Sequence, residues 1–377
     1  MTKRSSWIQI IIFTAFISVF FVINLILPDK GFSERENREL TKAPEFTLES
    51  LFSKKFGSKF ESYTTDQFAF RDSWTTLKAR CEFAVGKKEN KGVYLCGNDT
   101  LIEGYKPPDK KQLDTNISAV KDFSENAGVP VYFALVPGNS EINSRLIPQN
   151  APNSSQNEII DYCYEKSGAK NIDIYSALAD HADEYIFYRT DHHWTSLGAF
   201  YAYEKLMDSM GIAPAPLSSF SPVTVSDSFY GTIYSQSGIS WVKPDTIEIF
   251  TEQDDTTEVM NYSGAEPSEG KLYDYAFLGK KDKYSMFMGG NTPLSTIKTK
   301  NTEAPSILII RDSYVNSLIP FLQNDFSEIH VMDLRYYKVQ LMTSTVTDYI
   351  KEHDIDEVLI CYSVYNFGTD ANVFMLR

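Results

Sequence analysis

The chain has 377 residues, 42% hydrophobic and 14% aromatic, enough for one large domain or two ordinary ones with a substantial core. A formal net charge of −14 excludes the basic footprint that nucleic-acid binding needs and disfavours a tightly held polyanionic substrate. The four cysteines, Cys81, Cys96, Cys163 and Cys361, lack metal-ligand spacing. Cys361 lies in an apolar run and reads as a buried thiol, whereas Cys81 and Cys96 either pair outside the cell or stay free.

Residues 1–6 contain Lys3 and Arg4, and Trp7 to Leu27 then carries no charge over a length that spans a bilayer. Positive residues on the amino side alone predict a cytoplasmic amino terminus and an extracellular bulk. A cleaved signal peptide is the rival reading. Pro28-Asp29-Lys30 offers no small-residue cleavage site, so an uncleaved single-pass anchor in the cell membrane is expected. Residues 28–105 read as an extracytoplasmic juxtamembrane helical region. Leu51, Phe52, Phe56 and Phe60 fall at helical spacing, a second helix runs to about Phe83, and Gly92 to Asp99 reads as a hairpin.

Residues 106–377 read as one α/β domain. Helices are predicted over Gln112–Ala127, Ser155–Ser167, Ser196–Met210 and Lys338–His353. Strands are predicted over Val129–Val136, Asn171–Tyr175, Ser306–Ile310, Glu328–Leu334 and Glu357–Val364. Alternation of this kind implies a mostly parallel sheet covered on both faces, with its active site at the carboxyl ends of strands. Residues 212–302 break the alternation and read as hairpins and loops inserted beside the site. Two loops there, Phe229-Tyr230-Gly231-Thr232 and Met288-Gly289-Gly290-Asn291, are explained equally well by turn chemistry.

The chemistry concentrates in Thr190-Asp191-His192-His193-Trp194, in a chain with 5 histidines. A carboxylate two residues from an imidazole can orient it and stabilise its charged form, and the imidazole can then deprotonate a serine or a water. Ser313 supplies the serine, at the end of the apolar run Ile307-Leu308-Ile309-Ile310. A structural hydrogen-bond cluster is the bland alternative. A metal site is disfavoured, because adjacent side chains point in different directions and no second ligand motif accompanies them.

In these motifs the chain resembles the DHHW protein family, which is related to the SGNH hydrolase-like domains of alginate O-acetylation proteins. The resemblance runs from about Glu34 to the end. It rests on Asp66-Gln67-Phe68-Ala69-Phe70-Arg71, Thr190-Asp191-His192-His193-Trp194, Phe229-Tyr230-Gly231-Thr232, Gly289-Gly290-Asn291, Asp312-Ser313-Tyr314 and Asp333-Leu334-Arg335-Tyr336-Tyr337. The triplet also resembles the DHH phosphoesterases, but those carry aspartate motifs near the chain start, where this chain has an apolar span.

The family resemblance implies an SGNH hydrolase-like, flavodoxin-like α/β fold with helices on both faces and a circularly permuted motif order. It implies a triad of Asp191, His193 and Ser313, with His192 as the runner-up base. Arg311-Asp312-Ser313 stands where the usual pattern is Gly-Asp-Ser. Candidate oxyanion donors are Asn291, Gly290 and Asn366, and candidate substrate-binding residues are Tyr230, Tyr314, Arg335 and Trp194. The implied activity is O-acyl transfer, most simply of acetyl, to a cell-envelope or extracellular polysaccharide. A polytopic membrane-bound O-acyltransferase is the implied partner, and no metal or soluble cofactor is implied. A carbohydrate esterase with the same triad and a non-catalytic polysaccharide-binding subunit are the alternatives.

Overall fold

A computed structural model describes residues 3–33, 35–36, 38–53, 55–250, 257–264, 266–341 and 345–376. The chain forms two compact units, Met1–Asn90 with Ser235–Ser240, and Lys91–Tyr234 with Trp241–Arg377.

In the first unit, α1 spans Lys3–Ile26, and its segment Ser5–Ile26 is long and apolar enough to cross a membrane. Neither proline, glycine nor charge interrupts that segment. Two longer helices follow, α2 (Lys55–Asp66) and α3 (Arg71–Ala84). The amphipathic helix expected around Leu51 is divided. Leu48–Phe52 is a separate turn capped by Thr47, and α2 starts at Lys55. Asp66 ends α2 as a buried carboxylate, accepting from Arg38 Nη2 at 2.6 Å, the Thr41 N–H at 2.9 Å and the Thr41 hydroxyl at 2.8 Å. Arg71 completes the network through Glu36 at 3.0 Å.

The second unit is built on an eight-stranded sheet. Its strands are β1 (Val131–Val136), β2 (Lys170–Ile172), β3 (Glu258–Tyr262), β4 (Ser268–Glu269), β5 (Leu294–Lys298), β6 (Ser306–Arg311), β7 (Glu328–Met332) and β8 (Glu357–Ser363). Their order is β4-β3-β5-β7-β6-β8-β1-β2. The five strands from β7 to β2 run parallel, and β5, β3 and β4 extend the sheet antiparallel.

Both faces are covered, so the parallel strands are apolar without alternation. In β1, Tyr132, Ala134 and Val136 enter one core while Val131, Phe133 and Leu135 enter the other. Helices α4 (Lys110–Asn126) and α5 (Asn157–Ser167) pack on the second core through Ile117, Phe123, Ile160 and Cys163. Helix α6 (Ser196–Met210) packs on the first through Phe200, Tyr203 and Leu206. The bounds of α6 follow from its caps. Thr195 accepts the Gly198 N–H, and Gly211 ends the helix at φ +81.

Three expectations are corrected. The strand predicted over Asn171–Tyr175 stops at Ile172, because Asp173 caps a helix over Ile174–Ala179 by accepting the Ser176 N–H at 3.0 Å. The helix predicted over Lys338–His353 is two helices, Leu334–Leu341 and Val346–Glu352. Thr345 and Asp348 form a capping box that starts the second, and residues 342–344 lie outside the described residues. Residues 212–302 provide β3, β4 and β5 of the sheet as well as loops.

Candidate active site

Strand β6 delivers Ser313 to the carboxyl edge of the sheet. Asp312 turns the chain there: its Oδ1 accepts the Tyr314 N–H at 3.0 Å and caps the 3-10 turn Ser313–Ser317. Its Oδ2 accepts from the Ser363 N–H at 2.9 Å, the Ser363 hydroxyl at 2.6 Å and Asn366 Nδ2 at 2.8 Å. Four donors on a fully buried carboxylate pin this turn to the end of β8 and leave Ser313 half-buried.

The other half of the site comes from the loop that a bridge between Phe187 and Trp194 closes just before α6. His193 Nδ1 lies 2.6 Å from Asp191 Oδ1, and His193 Nε2 lies 2.8 Å from Ser313 Oγ. A carboxylate on Nδ1 assigns the ring proton to that nitrogen, so Nε2 accepts the Ser313 hydroxyl. The Thr232 N–H and hydroxyl hold Asp191 Oδ2 at 2.7 and 3.1 Å. Burial alone would raise the Asp191 carboxyl. The charges of His192 and His193, the bond to His193 and the Thr232 N–H outweigh it and hold the carboxyl well below the ordinary range. Gly231 permits the approach, since a Cβ there would lie 2.2 Å from Asp191 Cβ.

His192 turns away from the serine. Its ring lies on His193 with centroids 3.8 Å apart, and its Nδ1 meets the Thr232 hydroxyl at 2.6 Å. Desolvation first, then the His193 charge, bring its pKa down to about 4, and the 39% of the side chain left exposed moderates the first of these. Asp191, His192 and His193 have the residue types of a metal cluster. Most of their ligand atoms are already engaged. Both Asp191 oxygens, both His193 nitrogens and His192 Nδ1 are hydrogen-bonded to protein groups, an arrangement suited to moving a proton rather than to holding a cation.

The DHHW protein family matches residues 114–332, more than half the chain, including Asp191, His193 and Ser313. The chain belongs to the DHHW family. It is 26% identical over 203 residues to a probable alginate O-acetylase AlgJ of Pseudomonas syringae pv. tomato, across 51% of this chain and 50% of that protein. It thus spans about half the length of that curated relative. A DHHW family protein from Eubacterium siraeum superposes with a TM-score of 0.63 at 27% identity, over 75% of this chain and 93% of its own. Bacillus cereus PatB1 superposes with a TM-score of 0.63 at 19% identity, over 76% of this chain and 98% of its own, and so shares the fold. The architecture is the SGNH hydrolase-like one, with the serine after the acid and base in chain order.

The remaining DHHW motif residues divide by burial. Trp194 is fully buried, and its Nε1 donates to Tyr314 O and Ser317 Oγ, each at 2.9 Å. It supports the serine turn from below, which corrects the expectation that it meets substrate. Tyr314 is corrected likewise: it is buried and its hydroxyl donates to His192 O. Arg335 binds Asp333 through Nε at 2.9 Å and Nη2 at 2.7 Å, with a quarter of its side chain exposed. Tyr230 is half-buried against Tyr234, with ring centroids 4.3 Å apart.

Among the oxyanion candidates, Asn366 donates its Nδ2 to Asp312 and the Gly290 N–H closes a turn to Phe287 O at 3.2 Å, so both donors are engaged. Asn291 is exposed, and its Oδ1 accepts from the fully buried Arg311 at 2.6 Å and from Asn316 at 3.2 Å. Sequence reasoning missed Tyr284, which stacks on His193 with centroids 3.8 Å apart at 10° and donates to Ser313 O at 3.1 Å. It also missed Asp245, a buried carboxylate that accepts the Arg189 and Thr190 N–H groups at 2.9 and 2.8 Å. Neither carries a sequence signal: each is an isolated residue in the stretch read as loops.

Proposed function

We propose that this protein is a membrane-anchored, extracytoplasmic O-acyltransferase that acetylates hydroxyls of a cell-envelope or extracellular polysaccharide. The reading is carried by the hydrogen-bonded line from Asp191 through His193 to Ser313, at 2.6 and 2.8 Å, in a chain related to an alginate O-acetylase. Ser313 Oγ attacks the carbonyl carbon of an acyl ester as His193 Nε2 takes the hydroxyl proton. The tetrahedral intermediate collapses to acyl-Ser313, and His193 returns the proton to the departing alcohol. A sugar hydroxyl then gives its proton to His193 and attacks the acyl-serine. Ser313 leaves with that proton and the sugar carries the ester.

Asp191 keeps the ring in the required tautomer. The Ser313 N–H and Asn291 Nδ2 are the donors we assign to the oxyanion, and Arg311 fixes the Asn291 amide by holding its oxygen. Helix α1 crosses the cell membrane with Lys3 and Arg4 in the cytoplasm, and a polytopic O-acyltransferase in that membrane supplies acyl groups.

The Ser313→Ala variant tests this. Turnover of an activated acetyl ester should fall at least about a thousandfold, and an acyl adduct visible by intact-protein mass in the wild type should vanish. Denaturation midpoints should agree closely, because Ser313 is half-buried. Equal turnover in the two proteins would sink the triad. With an oligosaccharide acceptor present, free acetate without acetylated acceptor would support the esterase reading instead.

A further inference from the structure

In the first unit a cluster of rings lies along the carboxyl-terminal half of α1. Phe20 stacks on Phe68 with centroids 6.0 Å apart and meets the Trp74 ring at 5.4 Å, and Phe16 lies 6.3 Å from Trp74. Asn24 Oδ1 accepts the Ala69 N–H at 2.8 Å, while Asn24 Nδ2 donates to Phe20 O at 2.7 Å. The bend at Phe68–Phe70 and the first turn of α3 therefore run beside the last turns of α1.

Length decides what this means. At 1.5 Å per residue, Phe16 and Phe20 lie about 15 and about 9 Å inside the carboxyl end of α1. The part from Ser5 to before Phe16 covers only about 16 Å, half of a hydrocarbon core about 30 Å thick. If α1 crosses the bilayer, it takes Phe68 and Trp74 into the leaflet on its carboxyl side.

The surface there suits lipid. Phe68, Phe70 and Leu77 are 43%, 60% and 50% exposed. Phe70 presents its ring from a left-handed backbone at φ +59, a conformation uncommon for a bulky residue. Polar groups at the bend are bonded within the protein: the Arg71 N–H to Phe68 O at 3.0 Å and Trp74 Nε1 to Ala69 O at 3.2 Å. Of the charges beside this surface, Arg71 pairs with Glu36 and Arg38 with Asp66, while Asp72 and Lys78 are 48% and 71% exposed, which suits a headgroup level rather than the hydrocarbon core.

We propose that Phe68, Phe70 and Leu77 form a wedge embedded in the lipid around α1, a second membrane contact beyond the span. The proposal goes beyond acyl transfer and rests on α1 crossing the membrane. The full chain, with Cys81→Ser and Cys96→Ser, would be reconstituted in phosphatidylcholine–phosphatidylglycerol liposomes. Single substitutions Phe70→Cys, Leu77→Cys, Phe13→Cys and Ser219→Cys would carry an environment-sensitive fluorophore, and esterase turnover would confirm folding. Lipids with shallow spin labels should quench positions 70 and 77 severalfold more than position 219, and deep labels should quench position 13. Quenching at 13 with none at 70 and 77 would overturn the wedge and keep the anchor. No quenching at 13 would remove the anchor and the wedge together, leaving the Ser313 chemistry to its own assay. Protection of 70 and 77 in native membranes but not in liposomes would assign the surface to a protein partner and overturn the lipid proposal.

Discussion

Tyr284 is buried with its ring face against His193, and its hydroxyl is tied to Ser313 O at 3.1 Å. The face of a phenol ring is negative, so in the proposed mechanism it favours the imidazolium that would form as His193 takes the serine proton. Removing the ring withdraws roughly 1 kcal/mol of that stabilisation. Tyr284→Leu should lower kcat about fivefold and leave KM little changed, because the ring acts on the charge that develops rather than on bound substrate. Tyr284→Phe keeps the ring and should keep most of the wild-type kcat. A rise in KM with kcat unchanged in Tyr284→Leu would reduce Tyr284 to a packing residue. His192, already neutral well below pH 7, should contribute no limb of its own to the pH profile near neutrality.

The element that positions Ser313 is the turn after β6, and Asp312 holds it. Replacing this buried acceptor with Ala leaves the Ser363 hydroxyl and Asn366 Nδ2 without their partner. A cost of about 3 kcal/mol is expected, read as a lower denaturant midpoint of the second unit with turnover reduced in parallel. An unchanged midpoint would mean that water replaces the carboxylate. Much of this element was legible: an apolar run ending in a polar Asp-Ser is what a strand buried on both faces looks like, and Ser196–Met210 is bounded by its own caps. The antiparallel strands were not. β4 is exposed in both residues and β3 is half-buried through Asn261 and Tyr262, so neither shows the apolar run that marks β6. The stack of Tyr284 on His193 was hidden for a similar reason, since contact between distant loops leaves no periodicity. Asp191 and His193 could be singled out because a carboxylate and an imidazole lie two residues apart in sequence, whereas burial of Trp194 and Tyr314 is set by packing that no motif reveals.

At the scale of the whole molecule, the first unit is tied by charge. The bond from Arg38 outweighs burial and, with Thr41, holds the Asp66 carboxyl well below its ordinary value. A depressed folded pKa stabilises above the unfolded value near 3.9 and loses that contribution as pH falls below it. Asp66→Asn should therefore cost about 1–2 kcal/mol at pH 7, kept to the lower range because Arg38 is 41% exposed. The gap to wild type should narrow below about pH 4, as thermal melts of the detergent-solubilised protein would show. A constant gap from pH 7 to 3 would mean that the ionised form of Asp66 is not what matters.

The strand order carries a consequence for how the protein is made. β8 follows the other seven strands of the sheet in sequence, yet it lies between β6 and β1 and joins them. A nascent chain synthesised as far as β7 holds β1–β2 and the β3–β7 strands as two unjoined ribbons with apolar edges. It also lacks Ser363 and Asn366, which secure the serine turn. The first unit waits too, because Asn90 Nδ2 donates to Ser237 O at 2.6 Å and Arg35 to Gly238 O at 3.2 Å, from a segment translated far later. Such late, non-local closure makes for slow folding and leaves apolar edges open to chaperones and proteases meanwhile. The serine turn to which we assign acyl transfer is therefore secured only once β8 is in place, and a polypeptide cut short before it should have no partly working site.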